Sequence, residues 1–132
     1  MPRENPELVA RAYDAWNRRD FAAVMSLVHP DVVLVQDAAI PGAEVVQGRD
    51  ELGRWLQAFA DTWEDFRLTA ERIVEVGDRV AVVVRVEAKG KGSGIELDAR
   101  VGHLVSVVDG TVLRWQTFND PEEALEAVGL SG

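Results

Sequence analysis

The sequence predicts an α+β fold, a curved and mostly antiparallel sheet packed on N-terminal helices, with a short helix at the C-terminus. Three observations carry that expectation. Apolar residues recur at helical spacing through much of the first half of the chain. After Trp63 the period changes to two. Two turn signals, Gly77-Asp78 and Asp109-Gly110, then join alternating apolar runs into hairpins.

The elements follow in order. Asn5-Pro6 opens the first helix, expected over 6–18. Asn caps, and Pro fits the first turn, where its missing N–H costs nothing. Leu8, Val9, Ala12, Tyr13 and Trp16 form one apolar stripe along it. Asp20 caps a second helix, 20–28, that carries Phe21, Val24, Met25 and Val28. His29-Pro30 ends it, because a residue before proline avoids helical backbone. "DVVLVQD" reads as a strand at 31–36, and "AAIPGAEVVQG" as a loop. Leu52, Trp55, Leu56 and Phe59 mark a third helix, 49–62. Strands are expected at 66–76, 79–89, 94–108 and 111–119. Asp120-Pro121-Glu122-Glu123 starts a last helix, 121–128, with Asp120 as its cap and Glu123 placed to complete a capping box. Gly129 is the expected stop. Helices segregated to one face of hairpin-joined strands make the α+β arrangement.

Composition narrows the functional classes. A chain of 132 residues with 47% hydrophobic content suits a single domain over 1–132 with one core. The net charge of -9 repels phosphate backbones and anionic lipid, which disfavours nucleic acid and membrane as partners. Cysteine is absent, so neither disulfides nor thiolate chemistry is expected. His29 and His103 are the only histidines and lack ligand spacing, so no metal or other cofactor is expected. With no signal-peptide h-region and no membrane-length apolar run, the expected location is cytoplasmic.

The glycine-rich stretch "EAKGKGSGIEL", 87–97, invites a phosphate-loop reading. A phosphate loop delivers its N–H groups onto a helix N-terminus. This stretch has strand patterns on both sides, so it reads as a bend. Lys89 and Lys91 at its rim leave only a minor anion-binding alternative.

The strand 94–108 is the informative one. Ile95, Leu97, Ala99, Val101, His103, Val105 and Val107 share one face, and Glu96, Asp98, Arg100 and Ser106 the other. His103 is the only ionisable residue on the apolar face. An imidazole tolerates burial and titrates near neutrality, as a general acid or base requires. The alternative is a core histidine satisfied by one hydroxyl or carbonyl. On the neighbouring strand, Arg85 and Glu87 lie two apart on one face and can pair. They are placed on the outer face, with Ala81 and Val83, since Val82, Val84, Val86 and Ala88 make the better core face. Helices are expected to cover one face only, leaving that outer face as an association surface.

"NPELVARAYDAWNRRDFAAVMSLVHPDVVL", the strand meander and "RWQTFNDPEEALEAVGL" together resemble the SnoaL-like branch of the nuclear-transport-factor-2-like superfamily, over nearly the whole chain. The resemblance implies a cone-shaped α+β barrel, often a homodimer through the sheet. Family members include polyketide cyclases, ketosteroid isomerases, limonene epoxide hydrolases, dehydratases and binding proteins, so function rests with the site. His103 is similar to the pocket histidine of SnoaL-type cyclases, but their last-strand aspartate falls on Thr117 here. The tyrosine and two aspartates of a ketosteroid isomerase fall on Ala12, Gln36 and His103, with Tyr13 one position off. "RVE", Arg85 to Glu87, approaches the Arg-x-Asp pair of the epoxide hydrolases without its third member.

Within such a cone, Trp16, Trp55, Phe59 and Trp115 are expected to wall a cavity, with Gln36, His103, Thr117 and Asn119 as its polar contacts and Thr117 or Asn119 reaching the imidazole. Asp37 reads as a solvated loop carboxylate. The expected function is binding of a small hydrophobic, cyclic molecule. If there is turnover, it is cofactor-free isomerisation, cyclisation or dehydration with His103 as acid or base, and epoxide hydrolysis is less favoured. The alternative is a non-catalytic binding or dimeric assembly domain whose cavity is filled by its own tryptophans.

Overall fold

The computed structural model describes residues 4–37, 45–92 and 94–129. Helix α1 (Glu4–Asn17) and helix α2 (Phe21–Ser26) precede strand β1 (Val28–Gln36). Strand β2 (Val45–Gln47), helix α3 (Arg49–Thr62) and the strands β3 (Trp63–Val76), β4 (Arg79–Gly90), β5 (Glu96–Val108) and β6 (Thr111–Phe118) follow. Helix α4 (Pro121–Ala127) is last. The strands form one curved, unclosed sheet in the order β2-β1-β6-β5-β4-β3. Every neighbouring pair is antiparallel except β1 with β6, which is parallel. Among the described residues no helix is long and apolar enough to cross a membrane.

The hairpins and the Asp120 cap form as the sequence chemistry demands, but the Glu123 side chain does not close the expected capping box. Asp109 and Gly110 both take positive φ, the turn geometry that matches the twist of the flanking strands. The Asp120 carboxylate accepts from Glu122 N at 3.0 Å, with Pro121 at the first helical position. Beyond β4 the chain turns at Lys91-Gly92 and enters β5 without a helix, so the glycine run is a bend and not a phosphate loop.

Four boundaries differ from expectation. Helix α1 already includes Glu4 and Asn5, so Asn5 lies within the helix and does not cap it. Helix α2 stops at Ser26, and His29-Pro30 lie inside β1. Proline is tolerated there because the β1–β6 register is irregular between Val28 and Val33. The expected loop contains β2, which pairs Val45–Gln47 with Val33–Val35, and residues 38–44 of it lie outside the described residues. Strand β3 begins at Trp63, directly after α3. It carries an extra residue, Glu71, between Ala70 and Arg72 in its pairing with β4. Such a bulge bends a strand and raises its twist, which curves the sheet around the helices.

The main core lies between the concave face of the sheet and α1 to α3. Val9, Leu56, Val80, Val82, Val84, Val105 and Val112 are its most deeply buried members. A second, smaller cluster lies on the opposite face, where α4 sets Leu125 and Val128 against Ala81 and Leu104. That corrects the expectation of an uncovered outer face. Ala81 is fully buried beneath α4, and Val83 packs against the same cluster. What remains open on that face is mixed: Val45 and Val76 are exposed on it, and a polar group spans its middle. Arg85, Glu87, Asp98, Arg100 and Glu71 form a ladder of exposed ion pairs across β3, β4 and β5.

Candidate functional site

The concave face and the three N-terminal helices enclose a cavity of about 310 Å³. That volume lies at the lower end of the range for small-molecule sites. Each wall has a simple origin. The helical repeat brings Ala12, Tyr13 and Trp16 of α1 to one stripe, and Leu52, Trp55, Leu56 and Phe59 of α3 to another. Strand alternation brings Ala99, Val101 and His103 of β5 to the inner face.

The aromatic wall is continuous. The Trp16 ring lies 5.0 Å from Phe59 and 6.0 Å from Trp55, centroid to centroid. Phe59 meets Phe66 at 4.9 Å, nearly edge to face. Within this cluster the indole N–H of Trp16 is buried without an acceptor among the described residues.

The polar groups gather at one end. Register places Gln36 of β1 beside Thr117 of β6, and Thr117 beside His103 of β5, so three polar residues form one row across three strands. Asn119 follows at the end of β6 and lines the cavity with them. Asp37 joins the two strand ends, since its carboxylate accepts from Asn119 N at 3.1 Å and its own N–H donates to the Thr117 carbonyl at 2.9 Å. It is a tie and not a loose loop carboxylate. Among the described lining residues none is Asp, Glu, Lys or Arg.

His103 is 6% exposed. Its partner is Tyr13, whose hydroxyl oxygen lies 2.7 Å from Nδ1. The two rings are stacked at 5.7 Å, and Trp115 meets both edge-on. Burial pushes the imidazole down to about 3 and the Tyr13 phenol well above its ordinary value, because both charged forms lose their hydration. Both groups are therefore neutral at physiological pH. A base this weak draws a proton from a substrate poorly. The imidazole therefore stands in the cavity as a neutral hydrogen-bonding group and a weak base.

Eight residues singled out from the sequence, Trp16, Gln36, Trp55, Phe59, His103, Trp115, Thr117 and Asn119, come together around this cavity. Neither Thr117 nor Asn119 bonds the imidazole; Tyr13 does, and sequence reasoning passed over it. Its only signal was its place on the apolar stripe with Trp16, one position from the slot compared with a catalytic tyrosine. Arg85 and Glu87 lie outside the cavity. They approach to 3.9 Å, but Arg85 is forked onto Asp98, with Nε donating to Oδ1 at 3.1 Å and Nη2 to Oδ2 at 2.8 Å. The presumed pair is thus a weak side contact of a stronger one.

The comparisons with known proteins agree with this architecture. No protein of curated function matches the sequence. Among solved structures, an NTF2-like protein of unknown function from Burkholderia pseudomallei K96243 is 19% identical, with 96% of this chain and 98% of that one covered and a TM-score of 0.81. A proposed SnoaL-like polyketide cyclase from Jannaschia sp. CCS1 is 20% identical over 100% of this chain and 96% of that one, with a TM-score of 0.79. TerC, co-crystallised with polyporic acid, is 23% identical over 95% and 97%, also at 0.79. At such identities the likeness is one of fold. The model of the SnoaL-like domain matches residues 9–115, most of the sequence and nearly every wall of the cavity, and the chain belongs to the SnoaL-like domain family.

Proposed function

We propose that the protein binds a small, uncharged, largely apolar ring molecule in this cavity. The observation that carries the reading is the lining: aromatic and aliphatic walls around open volume, a few neutral polar groups at one end, and no charged side chain among the described lining residues. Apolar sites with a few convergent polar groups bind by area and orient by hydrogen bonds. The volume of about 310 Å³ weighs against an assembly domain whose tryptophans fill its interior. TerC, a neighbour in fold, was co-crystallised with a small molecule, polyporic acid, which supports small-molecule binding and not the absence of charge.

Cofactor-free acid/base turnover by His103, as isomerisation, cyclisation or dehydration, is the second reading. It is favoured by the polar row Gln36–Thr117–His103. It requires the bound molecule to restore basicity to an imidazole that burial has weakened. A second copy of the chain is proposed on the outer face that α4 leaves open, where the ladder around Arg85 and Glu87 carries both signs of charge and can pair with itself.

Native mass spectrometry of the purified protein, followed by titration with neutral bicyclic aromatics, tests these statements together. Three of the tryptophans line the cavity, so occupancy is expected to change the indole fluorescence. A co-purifying mass of a few hundred daltons, or saturable binding of a neutral bicycle, supports the ligand site. A bare chain that no neutral bicycle perturbs contradicts it. A single-copy mass at micromolar concentration contradicts the dimer.

A further inference from the structure

We propose that Tyr13 is a positioning residue that locks His103 in the Nε2–H tautomer, so that the cavity offers its ligand a hydrogen-bond donor and selects an uncharged molecule carrying a carbonyl-type oxygen. The proposal rests on the reading of the cavity as a small-molecule site.

The tautomer follows from the length of one contact and from which group is the better donor. Two arrangements fit the 2.7 Å contact between the Tyr13 hydroxyl and His103 Nδ1. In the first, Nδ1–H donates to the hydroxyl oxygen. The hydroxyl hydrogen then needs its own acceptor, and Tyr13 has no other hydrogen-bond partner among the described residues. Tyr13 is 5% exposed, so that hydrogen is left buried and unmet. In the second, the hydroxyl donates to Nδ1 and every hydrogen of the pair is placed except one, the hydrogen on Nε2. Each arrangement leaves one hydrogen unpaired, and bond strength decides between them: the phenol is the better donor, the ring nitrogen is the better acceptor, and 2.7 Å is a usual length for an O–H donor, whereas N–H donors sit at about 2.9–3.0 Å. A phenol held well above its ordinary range by burial keeps its proton and stays a donor.

The remaining N–H has one place to go. His103 lines the cavity, and its ring has no second hydrogen-bond partner among the described residues. A ligand oxygen is what completes it. The charge of that ligand follows from the same wall. A carboxylate or phosphate entering a lining of neutral groups loses its hydration without a countercharge, and so does a cation. A ketone, quinone or lactone oxygen accepts from Nε2–H without that cost.

Two measurements on the full chain decide the matter. With ¹⁵N-labelled histidine, long-range ¹H–¹⁵N correlation at pH 7 is expected to show His103 Nε2 protonated and Nδ1 unprotonated. Tyr13→Phe is expected to turn this into a mixture of tautomers, a change that a merely space-filling Tyr13 leaves unmade. A protonated Nδ1 in the unaltered protein overturns the proposal. For the ligand, 1-tetralone, tetralin and 1-naphthoate are titrated by tryptophan fluorescence. Tetralone is expected to bind about fivefold tighter than tetralin, the worth of one hydrogen bond. Naphthoate is expected to bind at least about tenfold more weakly than tetralone. Equal affinity for tetralone and tetralin overturns the donor role while leaving the cavity a ligand site. Tight naphthoate binding overturns the selection for an uncharged molecule. Failure of all three to bind overturns the ligand site itself, while the tautomer is still read from the nitrogen spectrum.

Discussion

Between pH 6.5 and 5 the folded protein is expected to lose about 2 kcal/mol of stability, and His103→Gln is expected to remove most of that loss. The imidazole has its ordinary value of 6.5 when the chain is unfolded and is held down at about 3 in the folded state. Within that window the unfolded chain takes up a proton that the folded chain refuses. Each pH unit therefore costs about 1.4 kcal/mol. The stability is fully present above 6.5 and drains away as the pH falls toward 3. His29 is present in both proteins and cancels from the comparison. Glu71 and Asp98 are lowered by their hydrogen bonds to Arg100 and Arg85, and so also favour the folded state at higher pH. Those pairs are solvent-exposed and screened, and their contribution belongs to more acid conditions. Urea unfolding followed by tryptophan fluorescence at pH 7.5, 6 and 5 measures the slope. Parallel losses in the two proteins contradict the burial of His103.

The second large effect concerns a residue with no side chain. Gly102→Ala is expected to destabilise the protein by about 1–3 kcal/mol, the usual range for forced overpacking. A methyl group at this position lies 2.7 Å from Ala124 Cβ, 3.0 Å from Pro121 Cα and 3.2 Å from the Pro121 carbonyl oxygen. Two of those three atoms are backbone, so no rotamer change relieves the contact. Helix α4 has to lift from β5, which loosens the cluster of Ala81, Leu104, Leu125 and Val128. Adding Ala124→Gly removes the worst of the contacts and is expected to restore only part of the loss, because the Pro121 contacts persist. Unchanged unfolding midpoints in Gly102→Ala contradict the docking of α4 on this face.

Local periodicity carried much of this structure, and tertiary placement carried the rest. Alternation along β5 assigns His103 to the face on which it lies, because the polarity contrast with Asp98 and Arg100 leaves little freedom. Helical spacing likewise assigns Trp16, Trp55 and Phe59 to inward stripes. Strand β2 is three residues long and shows no period to read. The contact of Tyr13 with His103 joins residues 90 positions apart, and it depends on where α1 crosses the sheet, which neither segment encodes alone. The ion-pair partner of Arg85 depends on register. Glu87 faces Asp98 and Arg85 faces Arg100 across β4 and β5, so Arg85 turns diagonally from a like charge to the carboxylate. The covering of the outer face was hidden for a similar reason. Nothing in "PEEALEA" states which face its Leu125 will seek, whereas Gly102 marks the place where a backbone approaches closely.

The central claim is that His103 stands in an apolar cavity, with no charged side chain among its described lining residues, and stays neutral there. NMR titration of the histidine ring protons, with His29→Gln to assign the two residues, tests it most directly. The His103 resonances are expected to stay flat from pH 8 down to about 4.5, while the protein remains folded, because burial holds the imidazole near 3. A midpoint near the ordinary 6.5 of a solvated imidazole contradicts the claim and removes the cavity as an apolar binding site.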